Sequence, residues 1–158
     1  MTSEILNGDG RLFLEDLAVG QRFQSRTHTI TAGEIKRFAA DFDPQPFHLD
    51  EGAAEASFFK GLAASGWHTA AITMRLVVEA MPLAGGVIGS GGDLRWLKPT
   101  RPGDALTVEM EVAEITPSRS RPDRGSALVQ ITTRNQHGEA VQTFAVKTLL
   151  ARRETAAD

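Results

Sequence analysis

Asp43 and His48 stand five residues apart in the string DPQPFHLD, with Pro44 and Pro46 between them. A carboxylate and an imidazole that converge on one water form an acid/base pair, because a free imidazole titrates near pH ~6.5 and can take or give a proton close to neutrality. Each proline fixes its own φ and pushes the preceding residue toward extended backbone, so the bend is stiff enough to hold the two groups in register. The same string also reads as an ordinary Asp-Pro turn followed by a hydrogen-bonding histidine, and the spacing alone leaves both readings open.

A second group of residues, ASGWHT at 64–69, precedes a long apolar run. The first amides of a helix lack internal partners and carry the positive end of its dipole, which suits a polarised carbonyl or a developing oxyanion. Gly66 has no side chain to keep a ligand from its amide, and Ser65 fits an N-cap or a substrate contact. His68 lacks a carboxylate at helical spacing to orient it, so it reads as structural or solvent-facing. Arg95, Lys98 and Arg101 in RWLKPTR are candidate phosphate contacts; on a strand whose other face belongs to Leu94 and Trp96, they also read as exposed charges. The run SRSRPDR at 118–124 reads as a solvated hairpin loop.

These residues need elements to carry them. Thr31 and Glu34 fit a capping box, which starts a helix near Ala32 with an apolar stripe of Ile35, Phe38, Ala39 and Phe42 and ends it at Pro44, delivering Asp41 and Asp43. Asp50 caps a short helix over 51–58, and residues 67–81 form a helix so rich in apolar side chains that it should be buried on nearly all sides. Around these lie strands: a first over 21–30, a short one at Leu94 and Trp96, a strictly alternating one at Leu106, Val108, Met110 and Val112, and a terminal hairpin whose turn is NQHGE at 135–139. One buried helix followed by four strands, with a fifth before it, predicts an α+β domain in which an antiparallel sheet wraps the helix. The tract between the flexible tails at 1–12 and 153–158 forms one domain, 13–152.

Composition narrows the chemistry. At 158 residues and 41% hydrophobic, the chain suits one domain with an adequate core. With 17 Lys and Arg against 20 Asp and Glu, it has no basic excess that would suggest nucleic acid. Having no cysteine, it can form no disulfide, thiolate nucleophile or Cys-ligated metal site. No uncharged run reaches the ~20 residues of a membrane span, and no secretory signal opens the chain, so a cytoplasmic location is expected. The dinucleotide, phosphate-loop, zinc-protease and nucleophile-elbow motifs are absent.

The pattern DxxPxH at Asp43, Pro46 and His48, followed by a short helix and an SGW segment opening a long helix, resembles the MaoC-like dehydratase and (R)-specific enoyl-CoA hydratase family. The stretch GGDLRWLKPTRPGD at 91–104 is similar to the family's next strand and turn. The resemblance runs from about Phe13 to Leu150 and implies a hot-dog fold and a homodimer with its acyl-CoA channel near the subunit boundary. It also implies reversible hydration of a trans-2-enoyl thioester, with Asp43 and His48 activating water and the Gly66 amide as oxyanion donor. No cofactor is implied, coenzyme A being part of the substrate, and no metal. The chain departs from the family pattern at Gln45, commonly Asn, and at Ser65-Gly66-Trp67, commonly an HGM-like string; Trp67 would reshape the acyl pocket. A hot-dog thioesterase and a non-catalytic acyl-thioester-binding subunit are the alternative functions.

Overall fold

The alternation of Leu106, Val108, Met110 and Val112 with polar residues becomes the inner face of strand β4 (Ala105–Pro117), where all four are buried. Strands β5 (Arg124–Arg134) and β6 (Ala140–Ala151) continue the sheet. Their connection closes where the Asn135 amide donates to the Glu139 carbonyl at 3.0 Å and Gly138 takes a φ of 73°, which favours glycine. Strand β1 (Arg22–Gln24) pairs with β4 and β3 (Ile88–Trp96) with β6, giving the order β1-β4-β5-β6-β3, all antiparallel; β2 (His28–Thr29) also pairs with β4.

The computed structural model describes residues 10–153, so most of the expected N-terminal tail and nearly all of the C-terminal one lie outside the described residues. Leu12, assigned to the tail by the sequence, is buried. Its amide donates to the Pro82 carbonyl at 2.9 Å and its carbonyl accepts from Ala84 at 2.8 Å, which draws it into the core. The single strand expected over 21–30 is split in two. Ser25 interrupts it, its hydroxyl rather than its carbonyl accepting the Val108 amide at 2.9 Å. Strand β3 is longer than the Leu94–Trp96 segment read from the sequence, because the glycine-rich run before it is also strand, with a register shift between Gly89 and Gly92. A Cβ at Gly92 would fall 2.6 Å from the Phe144 ring, so only glycine allows this approach.

Helix α1 (Ala32–Phe42) begins at the expected cap, with Thr31 Oγ1 accepting the Glu34 amide at 3.2 Å. Ile35 and Ala39 are buried, but Phe42 at the end of the stripe is exposed, as the chain turns away toward Asp43. The proline-braced bend contains one helical turn, α2 (Pro46–Leu49), where the sequence pattern predicts a loop. Asp50 caps α3 (Glu51–Glu55), whose Ala53 amide donates to Asp50 Oδ2 at 2.7 Å; α3 ends three residues before the expected Phe58.

Helix α4 (Gly66–Ala80) lies against the sheet through Ile72, Leu76 and Val77, all buried. It is not buried on nearly all sides as expected: Ala71, Arg75, Val78 and Glu79 face outward, because one sheet covers only one side of a helix in a single chain. Among the described residues, no helix is long and apolar enough to cross a membrane.

Candidate active site

Helices α1 and α2 bring Asp43 and His48 together at the N-terminal end of α4. His48 Nε2 lies 3.2 Å from Asp43 Oδ2, with the imidazole buried and the carboxylate side chain 17% exposed. The other ring nitrogen, Nδ1, is 2.6 Å from the carbonyl oxygen of Ala63. A carbonyl can only accept, so Nδ1 carries a hydrogen and donates it. The nitrogen facing the carboxylate is therefore the one free to gain or lose a proton, and a stable 3.2 Å contact requires one proton between Nε2 and Oδ2.

Asp43 is held by more than its histidine. Gln45 Nε2 donates to Asp43 Oδ1 at 2.6 Å, and the Ser65 hydroxyl also donates to the carboxylate. Burial works against ionisation of Asp43. The bonds from Ser65 and Gln45, together with the charge and hydrogen bond of His48, outweigh it and hold the carboxyl below its ordinary range. Ser65 is fully buried and caps α4 by accepting the Trp67 amide at 3.2 Å. Its hydroxyl also helps to favour the charged form of the Asp43 carboxyl. Asp41 is exposed and outside this cluster.

Gly66 opens α4, and its amide has no hydrogen-bond acceptor among the described residues. The need for glycine arises from a neighbour that the sequence did not single out. A Cβ here would fall 2.7 Å from Trp96 Cδ2 and 2.9 Å from Cζ2, so the indole of Trp96 occupies the place of the missing side chain. Trp67 is exposed and packs edge-on against Trp96 at 5.0 Å, which puts it on the rim outside Gly66.

The proposed phosphate contacts are not gathered at the site. Arg95 lies on the strand face opposite Trp96 and pairs with Asp93 at 3.2 Å, while Lys98 pairs with Glu139; both are exposed. Arg101 instead clamps backbone, its guanidinium donating to the carbonyls of Gly61 at 2.8 Å and Leu62 at 3.3 Å and to that of Phe59. It thereby braces the loop that ends in Ala63, the residue that fixes the His48 tautomer. His68, expected to be structural or solvent-facing, is buried and stacks on Phe38 with centroids 4.5 Å apart. No three metal-ligating side chains cluster among the described residues.

Sequence reasoning missed Ala63, Gln45 as a donor, and Trp96. Backbone carbonyls leave no signal in side-chain patterns, and Gln45 registered only as a departure from a motif. Trp96 was legible as one face of a strand, but not as the wall behind Gly66.

An antiparallel sheet packed on one long helix, with a carboxylate–imidazole pair at that helix's N-terminus, defines a hot-dog protein. The chain belongs to the MaoC-like domain family, whose model matches residues 16–135. The crystal structure of a MaoC-like dehydratase from Rhodospirillum rubrum is 61% identical to it, with a TM-score of 0.89 over 91% of this chain and 99% of that one. A 3-hydroxybutyryl-CoA dehydratase of Methylorubrum extorquens is 33% identical over 70% of this chain and 69% of its own. An (R)-specific enoyl-CoA hydratase of Rhodospirillum rubrum is 29% identical over 68% and 74%.

Proposed function

We propose that the protein is a hydro-lyase that reversibly hydrates a trans-2-enoyl-CoA, or a related acyl thioester, to the 3-hydroxyacyl thioester. The observation that carries this reading is the pairing of His48 Nε2 with Asp43 Oδ2 at 3.2 Å, with Nδ1–H committed to the Ala63 carbonyl, which leaves Nε2 as the ring position that exchanges a proton. In the hydration direction, the Asp43 carboxylate removes a proton from water as the water oxygen bonds to C3. The Nε2–H of His48 delivers a proton to C2, and the negative charge that builds on the thioester oxygen meets the unclaimed Gly66 amide. The proton now on Asp43 returns to Nε2 across the same contact, which restores the starting state. One hydroxyl and one hydrogen are added across the double bond with no net oxidation or reduction, and no resident cofactor is required. Dehydration follows the same path backwards.

Such proton transfers contribute about 10²–10⁴ in rate and one oxyanion donor about 10²–10³. The relatives named as a dehydratase and a hydratase of CoA thioesters support the substrate class. The working unit in this reading is a homodimer: β3 pairs on one side only among the described residues, and Ile88 at its start and Leu97 just past its end are exposed. A cytoplasmic location fits the use of CoA thioesters.

Incubation with a trans-2-enoyl-CoA series tests the reading. Loss of the conjugated chromophore without thiol release supports hydration. Free thiol would instead identify a thioesterase, and binding without either change a non-catalytic acyl-thioester-binding subunit.

A further inference from the structure

We propose that Thr73 and Gln142 are positioning residues that act through Trp96 to hold the Gly66 amide in place, an inference that rests on the hydro-lyase reading. The indole Nε1–H donates to Gln142 Oε1 at 3.1 Å, and Gln142 Nε2 donates to Thr73 Oγ1 at 3.2 Å. Thr73 Oγ1 lies 2.6 Å from Thr133 Oγ1. An indole N–H can only donate, so the Gln142 amide has a single orientation, and its NH₂ faces Thr73. Thr73 accepts from that amide and shares a further hydrogen bond with Thr133, in which either hydroxyl can be the donor. The result is a chain of three hydrogen bonds from a half-exposed ring to the interior of the sheet.

Thr73, Thr133 and Gln142 are each no more than 2% exposed. Buried polar groups cost stability unless satisfied, and an apolar set of the same shape would serve packing about as well, so the chain's particular contribution is direction. It fixes the angle of an indole that could otherwise swing into solvent. That indole fills the space at Gly66, and Trp67 closes on it from outside. Gly66 thus begins α4 against a wall whose position is set from the sheet interior, and its amide inherits that position.

The test compares Thr73→Val, which keeps the shape and removes the hydroxyl, with Thr73→Ser, which keeps the hydroxyl. Both are measured with the trans-2-enoyl-CoA that the wild-type protein hydrates. A displacement of about 1 Å can cost about 10²-fold in rate, so Thr73→Val is expected to lower kcat by about 10- to 100-fold. KM should stay within about twofold, because the amide's contribution grows as charge builds on the thioester oxygen. Thr73→Ser should retain kcat within about threefold. A second readout is Trp96 emission in a Trp67→Phe background, which leaves one tryptophan: it should shift to the red in Thr73→Val and not in Thr73→Ser. If Thr73→Val does not fold, Gln142→Met interrupts the same chain and is measured in its place.

A folded Thr73→Val or Gln142→Met with wild-type kcat would overturn the inference and leave the hydro-lyase reading standing. A wild-type protein that hydrates no enoyl-CoA would overturn that reading and this catalytic role together.

Discussion

The substitution Gly66→Ala adds one methyl group at the junction of the candidate site and its wall. Contacts of 2.7 and 2.9 Å to the Trp96 ring are too short for a carbon, so either the helix start or the indole must move. Forcing the extra carbon into a closed core typically costs about 1–3 kcal/mol. Here a cheaper escape exists, because Trp96 is 45% exposed and can rotate outward at the expense of its bond to Gln142, worth about 0.5–1.5 kcal/mol. A loss of about 1–2 kcal/mol follows, or about 2–8 °C in Tm for a chain of this size. The loss in rate should be larger, up to the 10²–10³-fold of one oxyanion donor, since the amide or its wall has moved. Thermal unfolding, Trp96 emission and enoyl-CoA turnover are the assays, with Gly66→Ala/Trp96→Ala as the second arm. With the ring removed, the alanine should cost little further stability, giving a coupling of about 1 kcal/mol or more. Gly66→Ala with unchanged Tm, emission and turnover would refute the packing on which this reasoning rests.

The other predictions concern the groups around this junction. Asp43 is held below its ordinary value near 3.8, so the acid limb of activity should fall below that pH; Gln45→Leu removes a donor to the carboxylate and should move the limb upward in a pH–rate profile. His68 is held below its ordinary 6.5, chiefly by burial, with Glu34 opposing the shift and His28 adding to it. The unfolded chain then binds more protons between the lowered value and 6.5, so stability should fall as pH drops through 6.5, and denaturant titrations of His68→Phe should lack that component of the slope. Arg101→Gln removes a charged clamp on three carbonyls and should cost about 2 kcal/mol or more by chemical denaturation; turnover should fall too, as the Ala63 carbonyl loosens its hold on His48.

The elements that carry side-chain periodicity were legible in the residues. Leu106 to Val112 alternate because one face of β4 is buried, and the Thr31 cap marks the first turn of α1 because its oxygen takes an orphan amide. Asp43 and His48 were legible as a pair because prolines announce a stiff bend. Three things were not. The glycine-rich start of β3 carries no alternation, so only the Leu94–Trp96 end of that strand was marked by its residues. The outward face of α4 is apolar enough to read as buried, although nothing within one chain covers Val78. The partners that orient the site act through a backbone carbonyl at Ala63, through Trp96 thirty residues from Gly66, and through Gln142 still further on. Such contacts arise only when β3 and β6 are laid beside α4, and local spacing does not encode them.

The central claim is that the Asp43–His48 pair moves the protons of an enoyl-thioester hydration. Steady-state turnover of the best trans-2-enoyl-CoA by Asp43→Asn and His48→Gln, each checked for a native unfolding transition, tests it most directly. Both variants should stay folded and lose about 10²–10⁴-fold in kcat/KM. Folded variants that both turn over at the wild-type rate would contradict the account.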